Sequence, residues 1–429
     1  MGGDVTGAAA AFTQYFLRNR MKSVIFVVVL AVVAEVHPQC LSENDNLDIP
    51  ASNDLSSITD FGLELFKGLF PYNATSKNFF FSPYSVWNAL TLAYFGSGGN
   101  TQSQLEEVLR VTDKVSTLKN WRALEFLYRM RQANNSDYTF NLANRAFFDK
   151  TVSLRPCVDA ILHNELQILD FSEPTEAADT INTFVSETTK GRITSLVEPS
   201  HVSQAKMVLA NAAFFKGTWQ YQFKPSQTRK NLFYATPEDY YFVDMMTQKG
   251  NFRHGVSEEL GAHILELPYT GEAVSMYILL PPFISGENGF NAMVERLNAS
   301  LLTEAFNNMW RMQVEVILPK FKLEQLVEDE LMLTLAGMGI TDLFDQSQAN
   351  LTAFAPNGSL SIGKSIHKAF VEVSEEGTEA AAATALISWR IARPVGPEKF
   401  ECNHPFLFII YDNLTKNVLF LGAYKNPKA

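Results

Sequence analysis

From about residue 206 onward, the apolar residues of this 429-residue chain change their period. Before that point they recur at three- and four-residue spacing. Leu55, Ile58, Phe61, Leu65, Phe66 and Leu69 form one helix face, which Pro71 stops. Helices are also expected at 117–132 and at 177–190, the latter closing at Gly191. Beyond residue 206 the pattern is that of strands. Met207 to Phe215 is a long apolar run. Val274, Met276 and Ile278 alternate with Ser275 and Tyr277, and Val314, Val316 and Leu318 do likewise. A helix intervenes near 325–336, and strands follow near 360–374, 405–411 and 417–424. The N-terminal third is therefore mostly helical and the remainder mostly strand. With no Pro/Gly/Ser-rich linker and no internal repeat, this reads as one large α+β domain over 54–429.

Local signals fill in the helical part. Phe79-Phe80-Phe81 is a short apolar strand that runs into a helix start, with Ser82 as cap and Pro83 at the first helical position. Gly96-Ser-Gly-Gly is a loop, and Thr101-x-x-Gln104 has the form of a capping box.

The N-terminus reads as an address. Arg18, Arg20 and Lys22 precede the apolar run Val24 to Ala34, and small residues close it. This is the layout of a secretory signal cleaved after Ala34, with translation starting at Met1 or at Met21. The run is too short to span a bilayer, which needs about 20 apolar residues. Residues 1–34 are then extension and signal, and the polar, acidic stretch 35–53 is a flexible tail. Asn-x-Ser/Thr triplets at Asn73, Asn134, Asn298, Asn350, Asn357 and Asn413 fit a secreted glycoprotein.

The net charge of −11 argues against a general nucleic-acid binder. Cys40, Cys157 and Cys402 contain no CxxC pair, so no structural zinc module is expected. A Cys157–Cys402 disulfide is open, with free buried thiols preferred. No Gly-x-Ser-x-Gly elbow, Walker loop or dinucleotide fingerprint occurs. None of the seven histidines pairs with another at helical metal-ligand spacing. No enzyme, metal or cofactor is indicated.

By composition, Ala380 to Ala383 would be an alanine-rich helix. The surrounding chain points elsewhere. Asn211-Ala-Ala-Phe-Phe-Lys-Gly-Thr-Trp219, Leu267-Pro-Tyr269, Leu318-Pro-Lys-Phe321 and Phe81-Ser-Pro-Tyr-Ser85 resemble segments of the serpin family, the conformational inhibitors of serine proteases. So do Gly339-Ile-Thr-Asp-Leu-Phe344, Phe400-Glu-Cys-Asn-His-Pro-Phe406 and Leu419-Phe-Leu-Gly422. The matches stand in family order from about 55 to 427. One departure is Phe184, where the family usually has Trp.

The resemblance implies a serpin fold, with three β-sheets, eight or nine helices and an exposed reactive-centre loop, here 375–400. A protease cuts the loop and is held as an acyl-enzyme, while the cut loop inserts as a strand into the central sheet. It also assigns roles. Glu375, Glu376, Gly377, Thr378, Glu379, Ala380, Ala381, Ala382 and Ala383 form the hinge. Ser82, Ser85, Asn211 and His367 are the shutter, Trp219 is the breach residue, and Lys320 pairs with Glu375. The residues suit this. Gly377 permits a fast backbone change. Thr378, Ala380, Ala382, Thr384 and Leu386 share the parity that enters the interior and carry no charge, while Glu379 lies on the parity expected to stay solvated.

The resemblance implies a scissile bond fourteen residues after the hinge glycine, at Ile391–Ala392. Side-chain chemistry favours Arg390–Ile391 and a trypsin-like protease, and Arg390 is preferred. A monomeric, extracellular inhibitor acting in a proteolytic cascade such as immunity follows, with no membrane partner. A non-inhibitory carrier or storage serpin is the alternative. Lys119, Arg122, Arg129 and Arg131 lie on the 117–132 helix, which binds glycosaminoglycan in some serpins. Glu125 between them favours a solvated face instead.

Overall fold

The computed structural model describes residues 40–41, 55–71, 77–134, 138–203, 205–356, 360–375 and 397–428. Its helices are α1 (Ser56–Leu69), α2 (Pro83–Gly96), α3 (Gly99–Leu109), α4 (Lys114–Asn134), α5 (Pro156–Leu162), α6 (Pro174–Thr188), α7 (Pro199–Val202), α8 (Gly286–Arg296), α9 (Ala299–Asn307) and α10 (Asp329–Met338). The early strands are β1 (Phe79–Phe81), β2 (Tyr138–Asp149), β3 (Leu166–Leu169), β4 (Met207–Gly217), β5 (Arg229–Tyr234), β6 (Tyr240–Ser257) and β7 (Ala262–Pro268). Then come β8 (Val274–Leu280), β9 (Trp310–Pro319), β10 (Phe321–Val327), β11 (Ser365–Val373), β12 (Glu398–Glu401), β13 (Phe406–Asp412) and β14 (Val418–Tyr424). The change of period near residue 206 marks the start of β4.

Several local expectations are met by side chains that act as foreseen. Ser82 caps α2 by accepting from the Ser85 N–H, with Pro83 in the first turn. α6 ends at Thr188, short of the expected 190, and Gly191 closes the turn that follows, its N–H donating to Ser186 O at 2.7 Å with a φ of +72° that suits glycine.

Others are overridden by tertiary contacts. The capping box at Thr101 and Gln104 does not form, because α3 already starts at Gly99 with Gly98 as its cap. Thr101 Oγ1 instead accepts from the Asn350 N–H, and Gln104 Oε1 accepts from the Thr341 and Asp342 N–H groups. The helix expected near 325–336 starts only at Asp329, since Phe321–Val327 pairs with β11 as an edge strand.

The described residues hold ten helices, one a single turn (α7), against the eight or nine implied. Hydrogen bonding joins the strands into two sheets rather than three. The reason is β6, whose 18 residues pair in turn with β5, β9 and β7 and so carry one sheet into another. The result is a nine-stranded sheet and a five-stranded central sheet of order β10-β11-β4-β2-β3.

β4 explains how the central sheet is held. Met207, Leu209, Ala213 and Phe215 point into the main core against the nine-stranded sheet and α2. Val208, Ala210, Ala212 and Phe214 point the other way, under Ile181 and Val185 of α6. Both faces are apolar because both are covered.

The cysteines correct the sequence reading. Cys40 and Cys157 form the disulfide, while Cys402 is the free one, fully buried and followed by the turn into β13. Burial pushes the Cys402 thiol up. Residue 40 can reach α5 because Lys114 Nζ donates to Leu41 O at 3.1 Å and Arg155 Nη1 donates to Cys40 O at 3.3 Å. The bridge spans 117 positions of sequence. Replacing Cys157→Ser is expected to cost about 3–5 kcal/mol in urea unfolding, chiefly by freeing the unfolded chain. An unchanged midpoint would show that the bridge does not form in solution.

Candidate functional site

The central sheet has two parallel neighbour pairs, β2–β3 at its edge and β11–β4 at its middle. β11 and β4 run side by side in the same direction, from Ser365 opposite Leu209 to Val371 opposite Phe215. The chain leaves β11 at Val373 and reaches Glu375, the last residue described before 397. Glu376 to Ala383 and the bonds at Arg390, Ile391 and Ala392 lie outside the described residues, as do Asn73 and Asn357.

At the level of His367 the three central strands each contribute one polar side chain to a single cross-strand row. Asn144 of β2 lies opposite Asn211 of β4, which lies opposite His367 of β11. Asn211 Nδ2 donates to Ser85 O at 2.8 Å and to Ser85 Oγ at 2.7 Å, and also to Asn144 Oδ1. The Ser82 N–H donates to His367 Nε2 at 3.0 Å, and Ser82 Oγ donates to Leu419 O at 2.6 Å. Since Nε2 accepts, the imidazole proton sits on Nδ1 and is donated to Asn211 Oδ1. The row thus joins β2, β4 and β11 to the start of α2 beneath them. Burial pushes the His367 pKa down to about 3, so the ring is neutral.

All four residues assigned to the shutter are brought together. Asn144 and Asn88 were missed. Asn144 Nδ2 donates to Asn88 Oδ1 at 2.8 Å and extends the network into α2. A signal for Asn144 exists in the sequence, a lone polar residue in the otherwise apolar row Phe140, Leu142, Ala146 and Phe148.

Where β11 ends, a second cluster closes the seam. Trp219, two residues past β4, is buried and stacks on Tyr269 with centroids 4.5 Å apart. Its Nε1 donates to Ser374 O at 2.9 Å. Lys320 Nζ meets Glu375 Oε2 at 2.8 Å, Thr228 Oγ1 donates to Glu375 Oε1 at 2.8 Å, and the Phe223 N–H donates to Glu375 O at 3.1 Å. Burial opposes the Glu375 charge, but the Lys320 and Thr228 hydrogen bonds outweigh it and hold the carboxyl below its usual range. Lys320 and Glu375 therefore pair as expected, and Ser374 and Thr228 join them without having been foreseen.

The solvated face expected for the inserted strand exists only at this end. Glu372 is exposed there, whereas lower down α6 covers the same side of β4 and β11.

The model of the serpin family (serine protease inhibitor) matches residues 56–427. The chain belongs to the serpin family. Serine protease inhibitor 88Ea of Drosophila melanogaster is 39% identical over 372 residues, covering 82% of this chain and 86% of that protein. Human leukocyte elastase inhibitor is 37% identical over 381 residues, covering 87% and 99%. The structure of uncleaved ovalbumin superposes with a TM-score of 0.76 at 30% identity, covering 87% and 99%. Serpin48 of Tenebrio molitor, described as a highly specific serpin, gives 0.72 at 30% identity, covering 86% and 97%.

Two surface expectations of this serpin can be set against side chains. On α4, Arg122 is turned inward, pairing with Glu165 at 2.7 Å and Glu125 at 2.9 Å, and Arg131 pairs with buried Asp412 at 2.6 Å. Lys119 is buried and Arg129 is exposed. Lys119, Arg122 and Arg131 thus serve packing, and Arg129 alone of the four does not make a shared cationic face. Among the glycosylation candidates, Asn298 is exposed at the cap of α9, with Oδ1 accepting from the Leu301 N–H. Asn350 is half-buried. The half-buried Asn413 has Nδ2 donating to Ser275 Oγ at 2.9 Å while Oδ1 accepts from the Tyr277 hydroxyl.

Proposed function

We propose that this serpin is a secreted suicide inhibitor of a trypsin-like serine endopeptidase. The observation that carries the reading is the parallel β4–β11 pair beside the point where the loop leaves β11. A segment that reverses direction after Glu375 runs antiparallel to β11, and therefore antiparallel to β4 as well. Inserted between them, it replaces one parallel ladder by two antiparallel ones, which pair slightly better per residue. The row at His367 is the bond across that seam, and the Trp219–Ser374 and Lys320–Glu375 contacts hold its end closed beforehand. Residues 376–390, fully extended, reach about 50 Å, enough to carry an attached protease to the far end of the sheet.

In the covalent step the protease serine oxygen attacks the Arg390 carbonyl carbon. The bond to the Ile391 nitrogen breaks, that nitrogen takes the proton, and Arg390 remains as an ester on the protease. Insertion then pulls the ester away from the catalytic base before water resolves it. Thr378, Ala380 and Ala382 present small faces to the core, and Ala381 and Ala383 suit the side that α6 covers.

Secretion is supported by the apolar run at 24–34 together with the Cys40–Cys157 bridge, because disulfides persist in oxidising compartments. On this reading residues 1–34 are removed, 54–429 form the inhibitory domain, and Asn298 is the best-placed glycan acceptor. N-terminal sequencing of protein from culture medium is expected to begin at Glu35, and retention in the cytosol would overturn secretion.

The inhibitor reading is tested by mixing the protein with trypsin and with an elastase and running denaturing gels. A covalent complex with trypsin is expected, with a released peptide beginning at Ile391 by mass spectrometry. Cleavage of the loop across a broad protease panel with no complex would refute it and favour a carrier or storage role. A second reading has one support of its own. Counting from Gly377 gives Ile391–Ala392, and the chain resembles inhibitors named for leukocyte elastase. A peptide beginning at Ala392, released by elastase, would select it.

A further inference from the structure

The chain carries a buried ammonium that none of the features above uses. Lys425 follows β14 immediately, and its side chain is 3% exposed. Its Nζ has no hydrogen-bond partner among the described residues. It lies 5.2 Å from the Phe70 ring centroid and 5.8 Å from that of Phe290. One carboxylate oxygen, Glu287 Oε1, stands 3.9 Å away on a side chain that is 42% exposed. An ammonium normally has three donors to place, and burial without acceptors is costly. Two aromatic faces and one distant, half-solvated carboxylate satisfy it incompletely.

Lys425 and Phe290 line a pocket of about 240 Å³ between the β5–β6 turn, the segment leading into α8, and the β12–β13 turn. Its walls are mostly apolar, formed largely by Tyr234, Pro237, Pro281 and Phe283, with the carboxylates of Glu238 and Glu287 also in the lining. Phe283 packs edge-on to Tyr234 and to His404, with centroids 5.5 and 5.3 Å away. His404 has both ring nitrogens engaged, Nε2 with Pro281 O and Nδ1 with Asn403 Oδ1, so it acts as a wall. A mostly apolar cavity with one unsatisfied polar group at its side is the usual form of a small-ligand site.

We propose that this pocket binds a small aromatic carboxylate, with its rings between the aromatic and proline walls and its carboxylate on Lys425 Nζ. An apolar cavity of about 150 Å³ already admits benzene, so a two-ring acid fits the larger volume here. The carboxylate supplies the acceptors that the ammonium lacks, in a site where charge-assisted bonds are strong. Glu287 competes for the same ammonium, and its exposure lets it swing aside. The site is independent of the loop and of the inhibitor reading.

The test is isothermal titration of the full-length protein with 2-naphthoate, 2-naphthalenemethanol and 2-naphthylmethylamine. Naphthoate is expected to bind about tenfold or more tightly than the alcohol, and the amine more weakly than either. Lys425→Met keeps the apolar stem and should bring naphthoate to within about twofold of the alcohol, leaving alcohol binding unchanged. Glu287→Gln, at an exposed side chain, should tighten naphthoate about two- to fivefold. The proposal is overturned if the alcohol binds as well as naphthoate, or if naphthoate shows no saturable binding below about 10 mM. It is also overturned if Lys425→Met leaves the preference intact. Should that variant fail to fold, the absence of tightening in Glu287→Gln decides against it equally.

Discussion

Ala380→Arg is expected to turn the inhibitor into a substrate. The loop should still be cut at the same bond, but the covalent complex should fall by more than about a hundredfold relative to cleaved product. Position 380 shares the parity that faces the core when the hinge enters the seam. A guanidinium there must be desolvated beside Phe215 and Val371, two buried residues at that end of the sheet. Burying an unpaired charge costs several kcal/mol, and each 1.4 kcal/mol on the insertion barrier slows it about tenfold against hydrolysis of the ester. Glu379→Arg provides the control. Its parity faces the side where Glu372 is exposed, so complex formation should stay within about threefold of the parent. Densitometry of complex and cleaved bands on one gel measures both. Equal effects at 379 and 380 would mean that the strand does not enter with this register.

The second large effect lies in the cross-strand row. Asn211→Ala removes the acceptor for the His367 Nδ1–H and the donor to Ser85, leaving buried polar groups unpaired. A loss of about 3–4 kcal/mol in urea unfolding is expected. The same row predicts acid sensitivity. His367 is held neutral, with its pKa pushed down to about 3 from an ordinary 6.5. In the unfolded chain it takes up a proton below about 6.5, which the folded chain refuses because burial disfavours the charged ring, and the Ser82 N–H already points at Nε2. The stability it contributes is therefore complete above 6.5, and it drains as pH falls from there toward 3. At pH 5 the loss from this one group is about 2 kcal/mol. Unfolding midpoints measured at pH 7.5 and pH 5 check this. His367→Gln should show a shallower decline, and an equal decline would assign the acid effect elsewhere. Because β4 and β11 must part at this row for a strand to enter, acid should also speed loop insertion after cleavage.

How much of this was legible beforehand depends on how local each cause is. The cap at Ser82, the stop at Pro71 and the strand starting near residue 206 depend on neighbours in sequence, and they stand where expected. Lys320 and Glu375 came from the resemblance, and the pair is formed. Thr101 and Gln104 satisfied a local capping rule, yet both were taken by the 341–352 segment, which no window around residue 101 contains. Cysteine pairing failed for the same reason. Cys40 reaches Cys157 because Lys114 and Arg155 hold the backbone at 40–41, contacts more than 70 positions apart. The basic residues of α4 had the right charge for a polyanion, but their direction is decided by Glu165 and Asp412 on other elements.

By itself the sequence determined the class of fold, the order of its elements and the small, uncharged character of the hinge face at Thr378, Ala380 and Ala382. All of these follow from period, composition and ordered motifs read along the chain. Only the tertiary structure decided that β11 lies parallel beside β4, that Asn144, Asn211 and His367 share one row, and that Lys425 is buried without a hydrogen-bond acceptor among the described residues. These depend on which strands become neighbours. That choice is made by burying apolar faces across the whole molecule, and no stretch of the chain holds enough of those contacts to record it.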